Sequence, residues 1–131
     1  MKLEHIALSA HTEAEADKFF IELLGMDRKR SFTVAKELME KFFGISQESQ
    51  FLRYTNGNLD IEVMLSEDGG LAQDKFTHTC LLVEDIEELF TRAQQLGLTT
   101  NKVPRKETGF YYFLRDYYGN LYEIKEIKKN T

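Results

Sequence analysis

The sequence predicts an α+β fold made of two tandem βαβββ modules. Three observations predict it. Runs of strand length and period-two alternation are interrupted once early in each half by a helical run that stops at a glycine. A hairpin-type turn precedes the last strand of each half. The halves also stand in register, since His5 to His78 is 73 residues and Leu24-Gly25-Met26 to Leu96-Gly97-Leu98 is 72.

In chain order, Met1 to Ala10 alternates, with Leu3, His5, Ala7 and Ser9 on one face and Ile6 and Leu8 on the other. Thr12 and Glu15 form a capping box for a helix carrying Ala16, Phe19, Phe20, Leu23 and Leu24, which Gly25 stops. Met26 to Phe32 reads as a short basic strand. Ala35 to Phe43 is an additional helix, with Leu38, Phe42 and Ile45 expected to pack. Gln50 to Thr55 and Leu59 to Leu65 are strands joined through Asn56-Gly57-Asn58, a hairpin signal. The acidic stretch Ser66 to Asp74, with Gly69-Gly70, is the best linker and splits the chain nearly in half. Beyond it come a strand at 77–83, a helix at 85–96, strands at 99–104 and 110–115, the turn Asp116-Tyr117-Tyr118-Gly119-Asn120, and a last strand at 121–127.

Composition bounds the function. A chain of 131 residues, 42% apolar and 12% aromatic, makes one compact domain that buries roughly two-thirds of its unfolded surface. Module one is expected over about 1–66 and module two over about 75–127. One cysteine, Cys80, excludes an intramolecular disulfide, and the first residues lack the pattern of a signal peptide, so a cytoplasmic location is expected. No apolar run is long enough for a membrane span. A net charge of -5 without a basic cluster argues against nucleic acid. A small-molecule substrate remains.

Four residues carry the chemistry. His5 and His78 each open a strand, and Glu62 and Glu123 each sit between apolar residues, in Ile61-Glu62-Val63 and Tyr122-Glu123-Ile124. Strand parity puts all four opposite the helix-packed face. A mid-strand carboxylate among apolar neighbours is unfavourable unless paired or coordinated, and two His with two Glu make an N2O2 set suited to a divalent metal. Any one of these residues is more often structural or solvated. Their recurrence at corresponding places in both modules is what favours ligands. Counted from the turn glycines, Glu123 is four residues after Gly119 and Glu62 is five after Gly57, so strict registration would select Ile61. An apolar Ile61 belongs on the helix-packed face with Leu59 and Val63, which leaves Glu62. Cys80 reads as a small packing group, and Arg53, Arg105 and Arg115 could each meet an anionic substrate.

The motifs His5-Ile6-Ala7-Leu8, Phe19-Phe20 to Leu23-Leu24-Gly25-Met26, Val83-Glu84-Asp85-Ile86 and Asp116-Tyr117-Tyr118-Gly119-Asn120-Leu121-Tyr122-Glu123 resemble the vicinal oxygen chelate superfamily, the glyoxalase, bleomycin-resistance and dioxygenase fold. Tyr117 stands where that family usually has proline. The resemblance implies modules curled into a curved mixed sheet with a concave metal-binding cleft. It implies His5, Glu62, His78 and Glu123 as metal ligands, with Glu123 and Glu62 also as candidate catalytic bases. The cofactor would be Ni, Zn, Co, Mn or Fe, and the expected assembly is a homodimer.

A metal with open positions can hold two adjacent substrate oxygens and stabilise an enediolate, which points to a lyase or isomerase of the glyoxalase I or epimerase type. Were only His5, His78 and Glu123 to bind metal, iron-dependent oxygenation or thiol transfer to an antibiotic would follow. Without metal, the cleft would sequester a small compound.

Overall fold

A computed structural model describes residues 2–66, 70–72 and 76–128. The chain divides into two compact units, Met1–Gly70 and Leu71–Thr131. The first holds β1 (Ile6–Ala10), α1 (Glu13–Asp17), β2 (Asp27–Val34), α2 (Lys36–Phe43), β3 (Ser49–Thr55) and β4 (Asp60–Leu65). The second holds β5 (His78–Val83), α3 (Ile86–Gln95), β6 (Thr100–Pro104), β7 (Phe110–Arg115) and β8 (Leu121–Glu126). Each unit forms its own four-stranded mixed sheet, ordered β1-β4-β3-β2 and β5-β8-β7-β6. In both, the first strand runs parallel to the last and the remaining pairs are antiparallel. This is the tandem βαβββ plan, built as two hydrogen-bonded sheets.

The helix ends follow from local sequence. Thr12 caps α1 by accepting from the Glu15 N–H at 3.1 Å, and Asp85 caps α3 by accepting from the Glu88 N–H at 3.1 Å. Helix α1 continues as a π-helical stretch, Lys18–Leu23, with the Leu24 N–H donating to the Phe19 carbonyl at 3.1 Å. Gly97 has φ +76, and the Leu98 N–H bonds the Ala93 carbonyl while the Gly97 N–H bonds that of Gln94, both at 3.0 Å, a Schellman closure. Gly25 does the corresponding work at φ +69, which is why the two Leu-Gly signatures mark equivalent stops.

The expected packing of α2 is corrected. Leu38, Phe42 and Ile45 are exposed, and Met39 is the buried residue, packed with Val34 and Phe51. Ala35 is extended and serves as the N-cap, so the winding starts at Lys36 and turns Met39 to the sheet, where its unbranched chain fills the gap. Strand β1 begins at Ile6, leaving His5 just before it, and β2 runs on to Val34. Of the expected linker Ser66 to Asp74, residues 67–69 and 73–75 lie outside the described residues, and the boundary between the units falls within it.

Each unit has its own core. In the first, Phe19, Phe20 and Leu23 are buried, as are Leu52, Tyr54, Ile61 and Val63. The Phe20 ring stacks on Tyr54 at 4.9 Å, and the Tyr54 hydroxyl donates to Asp17 at 2.8 Å. In the second, Leu89, Phe90, Ala93, Leu114, Tyr122 and Ile124 are buried, and the Tyr122 hydroxyl donates to Asp116 at 2.9 Å. Each large apolar side chain so buried contributes about 1.5–3 kcal/mol. Strand alternation then sends Arg53, Glu62, Phe113 and Glu123 to the opposite faces. Among the described residues no helix is long and apolar enough to cross a membrane.

Candidate functional site

Strand register decides the correspondence between the two glutamates. Glu62 of β4 lies opposite Ala7 of β1, and Glu123 of β8 lies opposite Cys80 of β5, two residues beyond His5 and His78 respectively. Measured from the base of each hairpin the positions also agree. The first hairpin closes at Thr55 and Asp60, the second at Arg115 and Leu121, and each glutamate is two residues past the closing residue. The glycine count misleads because the links 56–59 and 116–120 differ in length and their glycines occupy different turn positions. Ile61 is fully buried, so Glu62 is the counterpart of Glu123.

In the first unit, His5 Nε2 lies 3.9 Å from Glu62 Oε1. The ring's other nitrogen, Nδ1, contacts the Glu4 carboxylate. Arg53 Nη1 also lies 3.4 Å from Nδ1, so that nitrogen sits between a carboxylate and a guanidinium, and Nε2 is the nitrogen that faces Glu62. Arg53 lies directly across the β3–β4 ladder from Glu62. Its side chain is 6% exposed, and Nη1 donates to Glu62 Oε2 at 3.3 Å. Nε and Nη2 donate to Asp60 Oδ2 at 3.2 and 3.1 Å, and Nη2 also donates to Glu4. Lys29 Nζ stands 3.5 Å from Asp60. Burial opposes the Arg53 charge, but the bonds to Glu4 and Asp60 outweigh it and raise its pKa. The contact with His5, then that with Arg53, lowers the Glu4 carboxyl. Bonds from Thr55 and then Arg53 lower that of Asp60.

In the second unit, His78 Nε2 lies 3.4 Å from Glu123 Oε2. His78 Nδ1 donates to the Phe76 carbonyl at 2.8 Å, a bond that orients the ring and leaves Nε2 as the nitrogen facing the glutamate. Across the ladder from Glu123 stands Phe113, whose ring meets His78 edge-on at 6.1 Å. Lys125 Nζ is 3.9 Å from Glu123 Oε1 and is half-exposed. A cavity of about 390 Å³ opens on this sheet, lined in part by Asn101, Phe113, Arg115 and Leu121. Register puts Phe113 and Leu121 on the same face as Glu123.

Each unit thus brings its own histidine and glutamate together. Within neither unit, among the described residues, do three or more His, Cys, Asp or Glu side chains stand close enough to hold a metal ion by themselves. The donor chemistry of each pair, an imidazole lone pair beside a carboxylate oxygen, fits a divalent transition metal. Cys80 is exposed and unbridged. Of the three arginines that could meet an anionic substrate, Arg53 is taken up by carboxylates, Arg105 packs over Tyr111 at 4.1 Å, and Arg115 donates to the Gly119 carbonyl at 2.7 Å while lining the cavity. Sequence reasoning missed the role of Arg53. The signal was present, because the Asn56-Gly57 hairpin pairs Arg53 with Glu62 once its closing residues are known.

No curated protein sequence matches the chain significantly. Among solved structures, a glyoxalase family protein from Bacillus cereus is 18% identical, with a TM-score of 0.76, over 96% of this chain and 93% of the other. The fosfomycin resistance protein FosX from Listeria monocytogenes is 17% identical, with a TM-score of 0.72, over 98% and 94%. A FosX variant from the same organism, complexed with Mn(II) and 1S,2S-dihydroxypropylphosphonic acid, is 16% identical, with a TM-score of 0.70, over 94% and 87%. At these identities the likeness is one of fold. The family model for the Glyoxalase/Bleomycin resistance protein/Dioxygenase superfamily matches residues 2–124, and the chain belongs to that superfamily.

Proposed function

We propose that the protein is a divalent-metal-dependent lyase or isomerase of the glyoxalase I or epimerase type, acting on a small oxygenated substrate. His5, Glu62, His78 and Glu123 are its metal ligands, and the two units work as one domain, in a homodimer. One observation carries this reading: the ladder register sets a histidine Nε2 beside a glutamate oxygen twice, at equivalent positions of the two modules. Two nitrogen and two carboxylate donors suit Ni, Zn, Co, Mn or Fe.

The ion would supply Lewis acidity toward two adjacent substrate oxygens. The chain's own residues do the rest. The Phe76 carbonyl holds the Nδ1 proton of His78 and Glu4 contacts Nδ1 of His5, so in both rings Nε2 is the nitrogen turned toward the glutamate. Glu62 and Glu123 are the candidate bases, and their settings divide the work. Glu62 is anchored through Oε2 by Arg53. Glu123 faces an aromatic ring and a half-exposed lysine, which leaves it freer to take a proton beside a substrate carbonyl. The cavity of about 390 Å³ has the size of a small-ligand site, and Arg115 gives it a cation.

The likeness to a FosX structure holding Mn(II) and a phosphonate favours a second reading, in which His5, His78 and Glu123 alone hold the metal for a reaction on an antibiotic and Glu62 is a structural ion-pair partner. Elemental analysis of protein purified without chelator separates the two. Metal lost on Glu62→Ala selects the first reading, and metal retained selects the second. Metal well below one equivalent and unchanged by His5→Ala would sink both.

A further inference from the structure

We propose that Arg53 is a positioning residue that restricts Glu62 to a single donor oxygen, Oε1, and thereby keeps one ligand position open for substrate. This inference rests on the metal-dependent reading above. Its basis is the way the guanidinium is consumed. Nε and Nη2 are spent on Asp60, Nη2 also on Glu4, and Nη1 on Glu62 Oε2 and, at 3.4 Å, against His5 Nδ1. The side chain is 6% exposed, so it neither reaches for a substrate anion nor swings away. Glu62 Oε2 is therefore committed, while Oε1 is the oxygen on the side of His5 Nε2.

The charges agree with this division. The carboxylates of Glu4, Asp60 and Glu62 are met by Arg53 and Lys29, and three negative charges against two positive leave one for an incoming cation. A purely structural arginine would need no particular oxygen of Glu62. This one holds Oε2 and leaves Oε1 toward His5 Nε2, and the fork geometry of guanidinium makes that choice directional. The second module has no counterpart, because Phe113 occupies the equivalent ladder position.

Two opposed effects decide what removal of Arg53 does. It frees Glu62 to close both oxygens on the ion and removes a cation a few ångströms from a divalent charge, which tightens metal binding. It also releases one glutamate side chain, which loosens it, but the ordering of a single side chain is the smaller effect. Arg53→Met is therefore expected to bind Zn(II) more tightly, by about 10-fold for a change of roughly 1.4 kcal/mol in charge repulsion, and to lose the open position.

The test uses the full chain loaded with Zn(II) and reads the infrared carboxylate bands of Glu62, identified by subtraction of Glu62→Gln. The wild type should show the wide splitting of one-oxygen ligation, and Arg53→Met the narrow splitting of two-oxygen ligation. The change in affinity should vanish when Arg53→Met is made in the Glu62→Gln background. Arg53→Lys, which keeps the charge but not the fork, covers the case in which the methionine variant does not fold, and should also narrow the splitting. A wild type that binds no Zn(II), or a Glu62→Gln variant that binds it equally well, overturns the metal-ligand reading and this inference with it. A Glu62-dependent ion whose splitting is the same in the Arg53 variants, or an affinity change that persists without Glu62, overturns this inference alone.

Discussion

Glu62 and Glu123 occupy the same place in their modules, yet one faces an arginine across the ladder and the other a phenylalanine. The repeat has duplicated backbone register and the His–Glu pair while changing what surrounds each pair. Around Glu62 the neighbours are ionic: Arg53 is shared with Glu4 and Asp60, and Lys29 stands behind Asp60. Around Glu123 they are aromatic and solvent-facing, with Phe113 edge-on to His78 and the half-exposed Lys125. Equivalent positions in a repeat therefore share geometry without sharing electrostatics. On the proposed reading, the ionic pair is the fixed ligand and the aromatic pair the adaptable one.

Ile61 tests the strand register that makes Glu62 the counterpart of Glu123. Ile61→Ala should cost about 2–5 kcal/mol in denaturant unfolding, because Ile61 is fully buried, and the folded fraction should still bind metal. A loss below about 1 kcal/mol would put Ile61 on the open face and end the equivalence of Glu62 with Glu123.

Next in size is the turn that carries β8. Asp116 accepts from the Tyr118 and Asn120 N–H groups at 3.0 and 2.9 Å, from the Asn120 amide at 2.8 Å and from the Tyr122 hydroxyl at 2.9 Å. Asp116→Asn should cost about 1–3 kcal/mol by turning an acceptor into a donor there. Desolvation raises the Asp116 carboxyl above its ordinary value of 3.8, against the bonds that lower it. A carboxyl raised in the folded state keeps its proton longer than in the unfolded chain, so its contribution is fully present below the unfolded value and falls as pH rises through the folded one. The cost of Asp116→Asn should accordingly be greater at pH 3 than at pH 7. The opposite slope, measured by urea unfolding across that range, would contradict the assignment.

The aromatic surroundings of Glu123 carry a smaller effect. Phe113→Leu removes the edge-on contact with His78, worth about 0.5–1.5 kcal/mol. It should leave the infrared signature of Glu62 untouched, since the two half-sites differ in what positions them. A change in the Glu62 bands on this substitution would mean that the surroundings act jointly.

Much of the fold was legible because its signals are local. The Leu-Gly stops at Gly25 and Gly97 announce positive φ, the Thr12 cap is a side-chain acceptor at a helix start, and alternation in Ile61-Glu62-Val63 and Tyr122-Glu123-Ile124 separates the buried face from the open one. What was not legible depends on rotation and register. The face α2 presents was misread because Ala35 became a cap and Met39 the anchor. The Arg53 cluster was missed because a cross-strand partner follows from where a hairpin closes, at Thr55 and Asp60, and not from where its glycine lies. The π-helical continuation at Lys18–Leu23 left no trace in the apolar spacing.

On the proposed reading, one His–Glu pair from each module serves the same ion. Titrating Mn(II) into metal-free protein while counting free ion by electron paramagnetic resonance tests it most directly, with wild type, His5→Ala and His78→Ala compared. One bound ion per chain is expected in the wild type, with an affinity lower by more than about 100-fold in either variant. Two ions per chain, each abolished by its own histidine alone, or binding that neither substitution weakens, would contradict it.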